Sequence, residues 1–209
     1  MVRGTDGERS VWVLAYIAAA QGSFQESLSL ARPLATRASD PRVKVACCLT
    51  SASVLRQTGQ HLEARPYDRR ALRLASTRAE GAHALIGLAA DAVGLHDARR
   101  CSAHLIDAAA AAPRHDWRVW VRLGWVRCEH ALMTGRAREA AAHAKRSLER
   151  AEGVGARRHV AKSHLFLGVA LGEAGLPGAR SHLMSAERTA TRIGAEPIAA
   201  VARQVLGRA

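Results

Sequence analysis

Apolar residues recur along this chain at three- and four-residue spacing, and no run alternates apolar and polar residues in the manner of a strand. The first spacing keeps apolar side chains on one face of a helix; the second would mark a half-buried strand. The helical pattern breaks near Gly22, Gly59, Gly94, Gly135 and Gly175, at separations of 37, 35, 41 and 40 residues. Each glycine follows one apolar helical stretch and precedes another. Glycine just past a helix end takes the left-handed conformation without a Cβ clash, so each predicts a tight turn between antiparallel helices.

The predicted helix pairs are 10–21 with 23–38, 42–58 with 60–77, 80–93 with 95–112, 116–134 with 136–152, and 158–174 with 176–193. Asp40 and Pro41 read as N-cap and first helical residue of the third helix. Pro113 and Gly153-Val154-Gly155 separate later pairs. Pro33 and Pro66 fall inside second helices, where each predicts a kink or a late start. Pro197 opens a last helix with Ile198, Val201, Ala202, Val205 and Leu206 on one face, suited to closing the end of a stack. The expected layout is a short tail over 1–9 and one domain over 10–209, with repeats at about 10–38, 41–77, 80–112, 116–152 and 158–194 and a cap over 197–207.

Small residues recur around the turns. Ala15, Ala52, Gly87, Cys128 and Gly168 stand seven before the glycines; Ser27, Ala64, Ala98, Ala140 and Ala179 stand four or five after them. A helical hairpin needs small residues where its backbones approach. Leu167-Gly168 with Gly175, Ile86-Gly87 with Gly94, Gly22-Ser23-Phe24 with Ser27, Ala64 with Ala71-Leu72, and Ala140 with Leu148 together resemble the tetratricopeptide repeat family. The spacings exceed that family's usual repeat of about 34 residues. They are similar to the longer repeats in sensor regions of large bacterial transcription activators. The resemblance implies an all-α, right-handed helical solenoid of about five helix-turn-helix repeats plus a C-terminal capping helix. It also implies a role in holding another protein.

Composition agrees with helix and adds charge. The chain has 44 Ala, the residue most at ease in helices, and no Asn. It has 28 Arg but only 3 Lys, and a formal net charge of +13. That charge suits an acidic partner, whether protein or nucleic acid, yet the skew toward Arg and Ala also reads as codon bias with a solvated Arg face. Cys47, Cys48, Cys101 and Cys128 form no C-x-x-C pair, which fits a reducing cytoplasm. Val11–Ala20 is apolar and signal-like, but it falls where the repeat requires a helix. No stretch is long enough for a membrane span, so no membrane partner is expected.

Projecting helical spacing onto the first helix of each repeat gives a face of Trp12, Tyr16, Leu49, Arg56, Leu88, Arg122, Trp125, Met133, Lys162, Leu165 and Val169. As a groove, this face would accept a peptide or helix of a partner protein. Trp and Tyr would serve as anchors, with Arg56, Arg122 and Lys162 steering acidic flanks. The competing reading makes the same residues inter-repeat core. Family members that clamp a C-terminal carboxylate do so with Lys and Asn, and this chain has no Asn, so that role is not expected. Asp97, Cys101 and His104 share a helix face and include metal-ligand types, but helical periodicity produces such triplets readily. Trp117 and Trp120 beside Arg118 and Arg122 suggest either a basic-aromatic patch for single-stranded nucleic acid or Trp packed under Arg stems. No motif of catalysis is present, and no cofactor or metal is expected. The expectation is a protein-binding scaffold or adaptor in bacterial signalling or transcription regulation, compatible with homo-oligomers. The alternatives are a nucleic-acid-associated protein or the sensor part of a larger regulator.

Overall fold

The computed structural model describes residues 2–207, with side chains from residue 6 onward. Among the described residues there are eleven helices and no strand: α1 (Val2–Gln21), α2 (Phe24–Arg37), α3 (Pro41–Gln57), α4 (His61–Leu74), α5 (Arg78–Gly94), α6 (Ala98–Ala111), α7 (Trp117–Met133), α8 (Ala137–Gly153), α9 (Arg157–Glu173), α10 (Ala179–Arg192) and α11 (Glu196–Leu206). They fall into two compact units, Met1–Arg114 and His115–Ala209. In the first, α1/α2, α3/α4 and α5/α6 are hairpins, and α1, α3 and α5 pack in succession. In the second, α7/α8 and α9/α10 are hairpins, α7 packs on α9, and α11 packs on both α9 and α10. The expected all-α helical-repeat architecture is therefore what the chain adopts, and α11 occupies the predicted capping place.

The turns follow one backbone recipe. Gly22, Gly59, Gly135 and Gly175 take positive φ, from 63° to 93°. The next residue's N–H then reaches back to a carbonyl of the preceding helix: Ser23 to Ala18 at 2.9 Å, Gln60 to Leu55 at 2.8 Å, Arg136 to Ala131 at 2.7 Å, Leu176 to Leu171 at 2.9 Å. This closes the helix end by satisfying an otherwise orphaned carbonyl. The third turn corrects the sequence reading. His96, not Gly94, takes the left-handed conformation (φ 56°), and Asp97 N–H bonds Ala92 O at 2.9 Å. Gly94 is still helical and serves another purpose, since a Cβ there would run into the His61 ring. Counted from His96 as the turn, the small residues at the equivalent positions are Ala89 and Cys101, both buried; Gly87 is buried as well, and Ala98 is half-buried.

Two further expectations change. The tail over 1–9 is helical from Val2 and belongs to α1. Glu8 anchors it: its carboxylate accepts from Ser39 N–H at 2.9 Å and Asp40 N–H at 3.3 Å, joining α1 to the start of α3. Pro33 and Pro66 neither delay nor end their helices; α2 and α4 run through them. Both prolines are on the exposed side, as are Ser29 and Leu62, whose carbonyls lose a donor on a face open to solvent. Three hairpins open with side-chain caps: Asp40 accepts from Arg42 N–H, Asp116 from Arg118 and Val119 N–H, and Thr77 with Glu80 forms a reciprocal capping box. Buried Ala dominates the helix contacts, with Leu55, Ile86 and Leu123 as the largest apolar plugs. Each such plug contributes about 1.5–3 kcal/mol relative to exposure.

Candidate functional site

In the first unit, residues 11–20 of α1 are apolar on all sides. Its inner side meets the hairpins: Ala15, Ala18 and Ala19 are buried, and Trp12 reaches α3, donating its indole N–H to Thr50 Oγ1 at 3.2 Å. Among the described residues, its outer side has no such cover. Val13 is 41% exposed, Leu14 56%, Tyr16 48% and Ile17 44%. Of the predicted groove residues in this unit, only Tyr16 lies on that open side. Leu49 is half-buried and packs with Trp12 against the core. Leu88 is 5% exposed and is core. Val13, Leu14 and Ile17 escaped the projection because it followed a single stripe, whereas the unbroken run Val11–Ala20 was the visible sign of a helix apolar all round.

Arg56 does not steer anything in solvent. Its guanidinium donates to Asp68 Oδ2 and to Asp91 Oδ1, the latter at 3.2 Å, with both carboxylates fully buried. The three residues come from α3, α4 and α5 and tie those helices together. Gly87 makes the room, since a Cβ there would strike the Asp68 carboxylate. Burial pushes the Asp91 carboxyl up to about 7, with Arg56 pulling it down and Asp68 pushing it further up. Burial, then the Arg56 charge, lowers the His61 imidazole, whose Nδ1 lies 4.0 Å from Asp91. Desolvated carboxylates bridged by a guanidinium form a structural clasp rather than a recognition element.

In the second unit, the α7 and α9 faces meet in an aromatic ladder. His159 lies edge-on to Trp117 (ring centroids 4.9 Å) and stacks on Trp125 (5.4 Å), which in turn stacks on Phe166 (5.9 Å). Trp125, expected as a groove anchor, is only 7% exposed and donates its N–H to Ser163 Oγ at 2.8 Å. It therefore repeats the bond of Trp12: each joins one first helix to a hydroxyl on the next, 38 residues on. Lys162 Nζ lies over the Trp125 ring at 4.8 Å and the Phe166 ring at 5.6 Å, and Arg118 lies over Trp117 at 5.0 Å. Burial, then Arg158, Arg122, Arg118 and Lys162, lowers the His159 imidazole to about 4. Arg122, Met133, Leu165 and Val169 are half-buried, and Leu165 packs toward α11.

The remaining candidates resolve on geometry. Trp117 faces α9, while Trp120 is covered by Arg150 of α8 at 5.7 Å, so the two indoles do not form one patch. Asp97 is spent capping α6, where it accepts from Arg100 N–H, and Cys101 is buried. Among the described residues, no three His, Cys, Asp or Glu side chains are grouped to hold a metal ion. Cys47, Cys48 and Cys128 are buried, which raises their thiols to about 12, 11 and 12 and leaves them poor nucleophiles. Among the described residues, no helix is long and apolar enough to cross a membrane. No protein-family model matches the chain, and a search of curated proteins finds no match.

Proposed function

We propose that this chain is a protein-binding scaffold of the tetratricopeptide kind, and that it engages a helix of a partner protein through the outer side of α1. One observation carries this reading: the stretch of α1 that is apolar on all sides, residues 11–20, is buried on one side only. Helices apolar all round are normally enclosed, and a contiguous exposed apolar patch marks a binding surface. The inner side of α1 already packs on neighbouring helices, α2 and α3, and the outer side offers the same kind of surface to another helix. Val13, Leu14 and Ile17 are aliphatic and Tyr16 adds an aromatic body with a polar tip, the mixture that anchors helix-in-groove recognition. A role in bacterial signalling or transcription regulation extends the same reading through the resemblance in repeat length.

The test compares wild type with Leu14→Glu/Ile17→Glu in affinity capture from native extract, with and without nuclease, at moderate and high salt. Both positions are exposed, so the variant retains its helical circular dichroism. The reading expects one protein retained by wild type through nuclease and high salt and lost with the variant. Retention that nuclease abolishes would support a nucleic-acid-associated role instead. Wild-type self-association that the variant abolishes, seen by light scattering, would make a second copy of this chain the occupant.

A further inference from the structure

We propose that the outer side of α1 receives the second helix of a helical hairpin from a repeat-type partner protein, antiparallel to α1, with a stripe of small residues set against Leu14 and Ile17. The inference rests on the α1 reading above and names the kind of helix that fits there. The chain itself supplies the precedent. Gly22, Gly59, His96 and Gly175 hold equivalent left-handed turns, so their first helices align by counting back from them. Leu14 stands eight residues before its turn, where α3, α5 and α9 have Ser51, Leu88 and Leu167. Ile17 stands five before, where they have Val54, Asp91 and Ala170. None of those six is more than 5% exposed, whereas Leu14 and Ile17 are open.

The six places are closed in the same way. α3, α5 and α9 each follow a hairpin within their own unit, and the second helix of that hairpin packs on them: α2 on α3, α4 on α5, α8 on α9. Val54 clusters with Leu28 of α2, Asp91 lies beside His61 of α4, and Leu167 and Ala170 cluster with Ala140, Ala144 and Leu148 of α8. Among the described residues α1 has no hairpin before it. Yet of these four helices only α1 holds two large aliphatic residues at the paired places, where solvent would suit polar ones. The open side is also continuous with the interface that α1 already makes with α2 and α3, so a helix seated on it extends the packing of the first unit.

Size sets the chemistry of the occupant. Where helices of this chain meet closely, a large side chain faces a small residue. A Cβ at Gly87 would strike Asp68, one at Gly94 the His61 ring, and one at Gly168 the Leu183 side chain. The covering helices turn inward Ala31 and Ala35 on α2, Ala64 and Ala71 on α4, and Ala140 and Ala144 on α8, all buried. The outer side of α1 presents Val13, Leu14, Tyr16 and Ile17, so the small stripe must come from the partner. A second copy of this chain is a poorer match. Its α1 offers another row of large side chains, and the stripes of its α2, α4 and α8 are already buried. Its last helix, α11, carries exposed Glu196 and Arg203, paired with each other.

The experiment uses the full chain and a fluorescein-labelled helical peptide copying residues 136–153, which span the small-striped α8, braced by a lactam between Lys145 and Glu149. Fluorescence anisotropy compares this peptide with its Ala140→Leu/Ala144→Leu form, on wild type and on Leu14→Ala/Ile17→Ala. The α8 peptide should bind wild type, and the Leu-filled peptide should bind it at least about tenfold more weakly, because overpacking is unfavourable. The Leu-filled peptide should regain that loss on Leu14→Ala/Ile17→Ala, where the room is restored. Simple apolar adhesion gives the reverse order, with the more apolar peptide tighter on wild type. That order, or no binding of the α8 peptide, would overturn the proposal. Orientation is read by NMR. α2 reaches α3 through residues 38–40 alone, which sets its C-terminus beside the start of α3. A nitroxide at the peptide C-terminus should therefore broaden the amides of Arg9 and Ser10, and one at its N-terminus those of Ala20 and Gln21; the opposite pattern would overturn the antiparallel placement. Self-association of wild type that Leu14→Glu/Ile17→Glu abolishes would make a second copy the occupant and overturn it too. If that variant loses its partner in extract while the α8 peptide fails to bind wild type, the α1 surface stands and the hairpin assignment alone falls.

Discussion

Replacing Arg56 by Met removes the guanidinium that bridges two fully buried carboxylates, Asp68 and Asp91. Removing one partner of a buried ion pair costs about 3–5 kcal/mol. The clasp itself gives a second route to the magnitude. Without Arg56 the carboxylates stay buried only if they are protonated. Asp91, its carboxyl raised to about 7 by burial and by Asp68, is already about half protonated at pH 7, and losing Arg56 raises it further. Asp68 must take up a proton. Against an unfolded value near 3.9, that costs about 4 kcal/mol at pH 7 and about 1.5 kcal/mol at pH 5, at about 1.4 kcal/mol per pH unit. The two routes agree at neutral pH, and the second predicts that acid rescues the variant. Hydrogen exchange read on peptides of α3, α4 and α5 measures the opening free energy of this unit without mixing in the other. A loss below about 1 kcal/mol at pH 7 would refute the clasp, as would a loss of the same size at pH 5 and pH 7. Replacing Arg56, Asp68 and Asp91 together by Met, Leu and Leu should restore most of the stability, because nothing charged is then left buried.

His96→Gly should stabilise by about 0.5–1 kcal/mol, because a side chain at positive φ is strained and glycine is not; an unchanged or lower melting temperature would contradict the turn assignment. Thr77→Ala should cost about 1 kcal/mol by breaking the reciprocal cap with Glu80, measured by urea unfolding. Two pH effects have opposite signs. Asp91 has a folded value above its unfolded 3.8, so its contribution is fully present below about pH 4 and is lost as pH rises to about 7; Asp91→Asn should flatten that fall. His159 has a folded value of about 4, below its ordinary 6.5, so its contribution is present above pH 6.5 and is lost as pH falls toward 4; His159→Gln should flatten that limb in exchange from α7 and α9.

The helices and most turns were legible because their signals are local. Asp40, Gly59 and Gly135 act on backbone groups within a few residues, and those groups are visible in any short window of sequence. The third turn was misread because glycine has two uses. Gly94 and Gly87 are there for what packs against them, the His61 ring and the Asp68 carboxylate, while His96 supplies the positive φ. The site was less legible for a related reason. Arg56 looks like a surface cation until carboxylates 12 and 35 residues away are brought to it. Trp12 and Trp125 look like open anchors until a hydroxyl 38 residues on is seen to receive each indole. The hydrophobic pattern says that a residue belongs on an apolar face, but only the packing says whether that face is closed. On α1 it is closed on one side, and Val13, Leu14, Tyr16 and Ile17 are left on the other.

That open side is the centre of the functional account, and site-specific photocrosslinking tests it most directly. A benzophenone side chain placed at Leu14 or Ile17 should crosslink one partner polypeptide in native extract. The same group at Leu62, an apolar and still more exposed position on α4, should not. Equal crosslinking from Leu62, or none from Leu14 and Ile17 beside a partner captured by the unmodified chain, would place the binding surface elsewhere and contradict the account.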